Sequence, residues 1–247
     1  MNDLFSVCPR IAFFDSGIGG LNLLAECARR LPNVSFTYFA DNFNVPYGRL
    51  SPDELYDKAD KVFEKIAALN PQAAVIACNT VTAVCAKRLR EKYSFPIVGI
   101  EPAVKPAAKK GGNCLVLATP ATAESKAILS LIEKYGRGIT RVVACPNLAA
   151  YIERNIFNID GEEVIKMLPE YSPDSVVLGC THYTYVKDII KRFYSCDIYD
   201  GIYGTADLVY KTLSQNTVQT AQIRPEIKFC GGDESKNREV FSLLFPI

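Results

Sequence analysis

The chain has 247 residues, of which 49% are hydrophobic and 22% are charged, with 28 Lys and Arg against 27 Asp and Glu. A chain of this length can bury roughly three quarters of its unfolded surface, enough for one large domain or two small ones. The net charge of +1 provides no basic surface for nucleic acid or an anionic membrane, so we expect a small molecule as the partner.

Short apolar runs alternate with longer amphipathic ones along the whole chain. In chain order the apolar runs are RIAFFDS, VSFTYFAD, AAVIACNT, FPIVGIE, NCLVLATP, TRVVACP, DSVVLGCT and CDIYD. Strands that alternate with helices at this spacing are typical of α/β folds with parallel sheets. We therefore predict an α/β protein with eight such strands.

One predicted helix has well-marked ends. Ser51 and Glu54 fit a capping box, and Pro52 suits the first turn. Apolar residues then recur with helical spacing until Asn70 and Pro71, which should stop the helix.

The predicted strands repeat about halfway along the chain. Asp15 and Thr119 end corresponding strands 104 residues apart, and Cys78 lies 102 residues before Cys180. Ligands of open parallel sheets bind beyond the carboxyl ends of the strands, so two facing halves would place the two cysteines on opposite walls of one cleft. We predict two similar parallel-sheet halves related by a pseudo-twofold axis, with the active site between them.

The repeat also sets the expected domain organisation. The N-terminal half should cover residues 1–102 and the C-terminal half residues 103–204. The chain end, residues 205–247, is free to return to the N-terminal half.

Equivalent groups on two faces of a substrate suit the inversion of a stereocentre. One base removes a proton while a conjugate acid on the other face returns one, and thiolate and thiol can exchange these roles. A free thiol is mostly protonated at neutral pH, so each cysteine needs a neighbouring acid–base group. His182, the only histidine of the chain, is the candidate beside Cys180, and by symmetry Asp15 is the candidate beside Cys78.

Six motifs in order resemble those of glutamate racemase, in the cofactor-independent aspartate/glutamate racemase superfamily. They are FFDSGIGGLNLL, NVPYG, ACNTVTA, GIEPAVKPA, ATPAT and GCTHY, and the match runs from about Ile11 to FCGGD near the end. The resemblance implies a cytoplasmic isomerase that interconverts L- and D-glutamate for peptidoglycan synthesis. It implies no cofactor, and it makes a homodimer one of the states to expect.

The resemblance also implies roles for individual residues. The catalytic set would be Cys78, Cys180, Asp15, His182 and Glu153, the last as the acidic residue near the second thiol. The amino acid would be held, through hydroxyls, amides and helix N-terminal N–H groups, by Asp15, Ser16, Pro46, Tyr47, Gly48, Asn79, Thr80, Thr119, Thr181 and His182. No metal ligand is implied.

Some stretches depart from the family pattern. DNFNVPYG stands where the family often has DTARxPYG, so Asn42 and Asn44 occupy positions usually taken by Thr and Arg. YTYV follows His182 where YPLL is commoner, and a late segment carries the bulky Ile202 and Tyr203. None of these departures removes a catalytic group, so they bear on substrate choice, and aspartate racemisation is the alternative.

Other functions remain open at this point. Gly17, Gly19 and Gly20 after a strand mimic a dinucleotide fingerprint, but Asn22 stands where that pattern needs Gly or Ala. A non-catalytic amino-acid-binding protein could use the same scaffold. A thiol-redox function would require the two cysteines to be close enough to bond.

The remaining cysteines are expected to be structural, because cysteine is among the most buried residue types. They are Cys8, Cys27, Cys85, Cys114, Cys145, Cys196 and Cys230. With no Cys-x-x-C pair and one histidine, the chain resembles neither a secreted disulfide framework nor a zinc protein. Its first residues lack the features of a signal peptide and no run could span a bilayer, so we predict a reducing, cytoplasmic location.

Overall fold

The protein was analysed as a computed structural model that describes residues 10–214 and 225–246. Over these residues the chain forms nine strands: β1 (Arg10–Asp15), β2 (Ser35–Ala40), β3 (Ala73–Ile76), β4 (Ile97–Gly99), β5 (Cys114–Ala118), β6 (Thr140–Ala144), β7 (Ser175–Gly179), β8 (Asp197–Tyr199) and β9 (Glu226–Cys230). The first eight are the eight predicted apolar runs.

Helices connect the strands. Within the described residues they are α1 (Leu21–Arg30), α2 (Pro52–Ala68), α3 (Asn79–Lys92), α4 (Val104–Lys110), α5 (Pro120–Ala123), α6 (Lys126–Leu131), α7 (Leu148–Asn155), α8 (Gly161–Lys166), α9 (Lys187–Tyr194), α10 (Ile202–Ser214) and α11 (Glu234–Leu244). Shorter 3-10 turns cover Asn42–Asn44, Tyr47–Arg49 and Thr181–Val186, and a π turn covers Ile132–Gly136.

The strands form two parallel sheets of the same topology. One has the order β4-β3-β1-β2-β9 and the other the order β6-β5-β7-β8. Apart from β9, the second order repeats the first, with β5 in the place of β1 and β7 in the place of β3. The predicted pair of similar parallel-sheet halves is therefore confirmed.

The central strands are apolar because helices cover both faces of each sheet. Every residue of β3, β5 and β7 is buried, which is typical of parallel sheets enclosed by helices. Separate clusters of buried side chains lie on the two faces of each sheet. The sheets are thus rigid supports for the residues that follow their carboxyl ends.

Helix α2 begins and ends as the sequence predicts. Ser51 Oγ accepts a hydrogen bond from the backbone N–H of Glu54, and Glu54 Oε2 accepts one from the backbone N–H of Ser51. Both halves of the capping box are present, with Pro52 in the first turn. The helix ends at Ala68, and Asn70 adopts a left-handed conformation with φ of 48°.

The sequence did not predict strand β9, which lengthens only the first sheet. It pairs in parallel with β2, so that Tyr38 lies opposite Phe229. Phe229 also contacts Phe241 of α11 at 5.7 Å between ring centroids. The described part of the chain end thus packs on the N-terminal sheet. The exact domain limits stay a prediction, since residues 1–9, 215–224 and 247 lie outside the described residues.

Eight cysteines fall within the described residues, and all carry free thiols. Cys196 and Cys230 are half-buried and the other six are buried, among them Cys78 and Cys180. Cys8 lies outside the described residues. None of the helices in residues 10–214 and 225–246 combines the length and hydropathy needed to cross a membrane.

The capping box gives a test of the fold's local energetics. Ser51→Ala removes the acceptor for the Glu54 N–H, so the free energy of unfolding should fall by about 1 kcal/mol. Ser130→Ala is the matched control, because Ser130 is exposed near the end of α6 and caps no helix. Urea unfolding of both variants measures the difference, and an equal effect of the two substitutions would contradict the capping role.

Candidate active site

The candidate site lies where the central strands of both sheets end. Cys78 comes two residues after β3 and directly before α3, and Cys180 comes directly after β7. Asp15 is the last residue of β1, and Thr119 follows β5. These four residues occupy equivalent positions in the two halves, as the repeat predicted.

Hydrogen bonds join the two halves at these strand ends. Thr181 donates from its hydroxyl to Asp15 Oδ2 at 3.2 Å, and the hydroxyls of Thr80 and Thr119 lie 2.9 Å apart. All four side chains are buried. The cleft between the halves is therefore closed, and its polar groups pair with one another. We call this contact between the carboxyl ends of the two sheets the seam.

Glycines allow the halves to approach this closely. A Cβ atom on Gly19 would lie 2.4 Å from Thr181 Oγ1 and 2.6 Å from His182 Nδ1, and one on Gly48 would lie 2.5 Å from Thr119 Cβ. Any larger side chain would force the seam apart. Two glycines of SGIGG, the motif that mimics a dinucleotide fingerprint, therefore serve this contact between the halves: Gly19, and Gly17, whose Cβ would lie 2.2 Å from Glu153 Oε2.

On one wall of the cleft, Cys180, His182 and Glu153 form a line. His182 Nδ1 lies 4.0 Å from Cys180 Sγ, and His182 Nε2 lies 2.6 Å from Glu153 Oε2. All three residues are at most 6% exposed. Glu153 reaches this position from α7, whose last turn faces the 3-10 turn Thr181–Val186 that carries His182.

Burial and pairing decide the charges in this line. Burial opposes the ionisation of Glu153, but the hydrogen bond and charge of His182 outweigh it and lower the pKa of Glu153 to about 2. Burial likewise opposes the protonation of His182, but hydrogen bonds to Cys180 and Glu153 raise the pKa of His182 well above its ordinary value. The stable state is an imidazolium held between a carboxylate and a sulfur atom.

The opposite wall has a different chemistry. Ser16 lies between Cys78 and Asp15, with its Oγ 3.7 Å from Cys78 Sγ and 3.5 Å from Asp15 Oδ1. Asp15 Oδ1 also accepts a hydrogen bond from the backbone N–H of Gly17 at 2.7 Å. The contact between the carboxylate and the thiol thus runs through a hydroxyl.

Among the described residues, no cationic side chain contacts the thiol of Cys78. Burial and then the negative charge of Asp15 raise the pKa of Cys78 to about 12, so its thiol keeps its proton. Burial also raises the pKa of Asp15 to about 6, although the charge of His182 acts in the opposite direction. Cys78 therefore offers a proton donor on this wall, whereas the opposite wall carries the positive charge of His182 beside Cys180.

Other residues that the sequence singled out lie near the same seam. Tyr47 is buried, and its hydroxyl donates to Asp41 Oδ2 at 2.6 Å. The amide of Asn79 donates to the carbonyl of Ile100 at 3.4 Å. Pro46 is half-buried and precedes Tyr47 in the turn that carries Gly48 to Thr119. These residues shape the cleft, and their binding roles stay predictions.

The sequence did not assign some residues to contacts with the site, although it singled out Asn42 as a departure from the family pattern. Asn42 donates to Glu153 Oε1 at 2.8 Å, and Lys236 from α11 lies 3.5 Å from the same oxygen. Two tyrosines, Tyr38 and Tyr185, donate to backbone carbonyls in the loop after β1. Lys236 follows a strand that is absent from the repeat, so no internal symmetry pointed to it.

Each of the two facing parallel-sheet halves carries a buried thiol at an equivalent strand end. This arrangement defines a class of protein in which a ligand would lie between paired acid–base groups. A family model described as Asp/Glu/Hydantoin racemase matches residues 21–208. The chain belongs to this Asp/Glu/hydantoin racemase family.

Named relatives support the same assignment. The chain is 40% identical over 223 residues to a glutamate racemase of Clostridium perfringens, and the aligned region covers 85% of each chain. The structure resembles the crystal structure of glutamate racemase from Francisella tularensis in complex with D-glutamate, with a TM-score of 0.80, 25% identity and coverage of 97% of this chain and 94% of that one. It also resembles Escherichia coli glutamate racemase in complex with L-glutamate and the activator UDP-MurNAc-ala, with a TM-score of 0.82, 25% identity and coverage of 96% and 95%.

The buried carboxylate of Asp15 predicts a specific pH dependence of stability. Folded Asp15 keeps its proton up to a pKa of about 6, against 3.8 for an ordinary aspartate, so burying its charge destabilises the wild type as the pH rises through this window. Asp15→Asn has no such proton. Its free energy of unfolding relative to wild type should rise by up to about 3 kcal/mol between about pH 4 and pH 7.5.

Urea unfolding at several pH values measures this difference. Asp57→Asn is the control, because Asp57 is exposed on α2 and its substitution changes no buried charge. A difference between Asp15→Asn and wild type that stays flat or falls with pH would contradict the burial argument.

Proposed function

We propose that this protein is a glutamate racemase that interconverts L- and D-glutamate without a cofactor. The observation that supports this most directly is the pair of buried thiols, Cys78 and Cys180, at equivalent strand ends, each with its own polar neighbours. Two acid–base groups on opposite faces are what inversion at one carbon requires. Relatives crystallised with D-glutamate and with L-glutamate point to the same substrate.

The proposed mechanism uses the two walls in opposite roles. With L-glutamate bound, Cys180 acts as a thiolate beside the His182 imidazolium and removes the proton from Cα. The electron pair of the broken C–H bond stays on the substrate as a carbanion-like state. Cys78 donates its thiol proton to the other face of Cα, which gives D-glutamate, and the reverse reaction exchanges the two roles.

Both auxiliaries have a proposed part in these steps. His182, held by Glu153 at 2.6 Å, stabilises the Cys180 thiolate as an imidazolium and gives its proton to Cys180 when the reverse reaction needs a thiol there. Asp15, with its raised pKa of about 6, can serve as the acid–base group that restores Cys78, with Ser16 between them. Proton transfer by positioned groups of this kind contributes typically 10²–10⁴-fold to a rate.

The substrate's carboxylates would be held by neutral donors. We propose hydroxyls and backbone N–H groups around the seam for this purpose, from Ser16, Asn79, Thr80, Thr119 and Thr181, with the turn containing Pro46, Tyr47 and Gly48 beside them. Helix α3 begins at the site, and helix N-termini favour anions. Closure of the cleft would exclude water and strengthen these interactions.

The wider setting follows from this activity. D-glutamate is a precursor of peptidoglycan, so we propose a cytoplasmic role in cell-wall synthesis. The partner would be the free amino acid, and neither nucleic acid nor a membrane is part of the proposal. A homodimer is the proposed assembly, on the pattern that the family resemblance implies.

Circular dichroism of the free amino acids tests the activity. Purified protein, with no added cofactor, should racemise L- and D-glutamate and leave aspartate essentially unchanged. The signal of either glutamate enantiomer should decay to zero, because the two are equal in energy. Activity on aspartate alone would contradict the glutamate assignment, and no activity on either would support a binding protein on the same scaffold.

The two-thiol mechanism has its own test. Cys78→Ser and Cys180→Ser should each abolish racemisation in both directions, since every turnover needs one thiol as base and the other as acid, and serine is a far poorer base. Cys196→Ser, at a half-buried position outside the site, is the matched control and should keep its activity.

Isotope exchange follows the proton itself. In deuterated water both thiols exchange before turnover, so early product should carry deuterium at Cα while the remaining substrate stays largely protiated. Mass spectrometry of both enantiomers measures this. Early product that retains protium would instead indicate one base acting on both faces.

A further inference from the structure

The carboxylate of Glu153 is surrounded by donors, and most of them come from the opposite half of the protein. Oε2 accepts from His182 Nε2 at 2.6 Å and from the backbone N–H of Ile18 at 2.9 Å. Oε1 accepts from Asn42 Nδ2 at 2.8 Å and lies 3.5 Å from Lys236 Nζ. Of these donors only His182 belongs to the C-terminal sheet and its helices. The orientation of Glu153 therefore depends on the N-terminal half.

Contacts with the chain end fix the amide of Asn42. Its Oδ1 accepts from the backbone N–H of Asp233 at 3.1 Å and from Asn237 Nδ2 at 3.0 Å, while its Nδ2 donates to Asn237 Oδ1 at 3.0 Å. A backbone N–H can only donate, so Asn42 must present its oxygen to Asp233. Its amide nitrogen then has to face Glu153.

The side-chain amide of Asn237 is held in place by burial and by hydrogen bonds. Asn237 is fully buried in α11, and its side chain forms a reciprocal pair of hydrogen bonds with Asn42. Breaking this pair would leave buried polar atoms without partners, which costs more than an ordinary exposed hydrogen bond. The pair thus joins the last helix of the chain to the loop after β2.

The FCGGD motif brings α11 into this position. Gly232 has a φ of +57°, and a Cβ atom at this residue would lie 2.2 Å from Asn42 Oδ1. Only glycine allows the backbone to pass so close to Asn42. Asp233 then caps α11 by accepting from the backbone N–H of Lys236 at 3.0 Å, and Lys236 reaches back to the backbone carbonyl and the carboxylate of Glu153.

We propose that Asn42 and Asn237 are positioning residues that fix the Glu153 carboxylate against His182 Nε2, so that helix α11 sets the orientation of the imidazole beside Cys180. The effect on turnover rests on the proposed function, in which His182 exchanges a proton with Cys180. Neither asparagine touches the reacting sulfur atoms. Their influence passes through Glu153.

The single histidine makes this link measurable without turnover. Untagged protein with ring-¹⁵N-labelled histidine gives the imidazole signals of His182 alone, because the chain has no other histidine. In the wild type, the Nε2–H proton should be strongly deshielded and slow to exchange with water. Its 2.6 Å hydrogen bond to a carboxylate and the 3% exposure of the side chain both favour this.

Two substitutions test the proposal. Asn42→Ala removes the donor to Glu153, and Asn237→Leu removes the amide that orients Asn42. In both variants the Nε2–H signal should move upfield and exchange faster. The kcat for glutamate should fall about tenfold or more with KM little changed, because a misplaced acid–base group slows the chemical step without removing a substrate contact.

Val240→Ala is the matched control. Val240 is buried in α11 and packs on the N-terminal core, so its truncation removes apolar packing from the helix and leaves the polar contacts of Asn42 and Asn237 in place. Its Nε2–H signal and its kcat should match those of the wild type. Equal changes in this control would overturn the proposal, as they would reduce both asparagines to packing residues.

The remaining outcomes are also decisive. An unchanged Nε2–H signal in Asn42→Ala overturns the proposal, and so does a shifted signal with unchanged kcat. Asn42 lies in a partly exposed loop, so this variant decides the matter even if Asn237→Leu does not fold. A wild type that shows the deshielded proton but no racemisation would overturn the proposed function and not the link from α11 to His182.

Discussion

The contact between Glu153 and His182 constrains much of the structure around it. Two ionisable side chains, each at most 5% exposed, lie 2.6 Å apart, and buried charges are tolerated only when they are paired and hydrogen-bonded. Neither half could satisfy both groups alone. The carboxylate takes donors from Ile18 and Asn42 of the N-terminal half, so the buried charge is stable only while the two halves are closed on each other.

The site is asymmetric although the scaffold is nearly symmetric. Both thiols follow equivalent strands, and the sheets repeat the same strand order. Burial beside Asp15 keeps Cys78 protonated, whereas His182 offers Cys180 a neighbour that can hold a positive charge. A duplicated fold thus supplies two equivalent positions, and the loops around them place a protonated thiol on one wall and the positive charge of His182 beside the thiol on the other. This difference suits the proposed proton transfer between the two faces of the substrate, because one group has to donate a proton while the other accepts one.

Close approach of backbone and side chains at the seam brings the polar groups of the two halves together. Gly19 and Gly48 leave no room for a Cβ, and Gly232 plays the same part where the chain end crosses Asn42. Each of these glycines meets a side chain distant in sequence. The three contacts explain why glycine occurs at these positions by close packing alone.

Sequence patterns were enough to predict the eight repeated strands, the capped helix α2 and the strand-end positions of Cys78 and Cys180. These features depend on local periodicity, on capping and on polar residues that end apolar runs, all of which are visible in a short window. It also indicated Asp15, His182 and Glu153, by symmetry or by resemblance. Strand β9 escaped prediction because it has no counterpart in the repeat and alternates charged with apolar residues at a sheet edge. That Asn42 and Lys236 meet at Glu153, and that Asn237 holds Asn42, depends on the tertiary structure, because these hydrogen bonds join residues 83 to 195 positions apart. No local pattern specifies which distant donor a buried carboxylate will find.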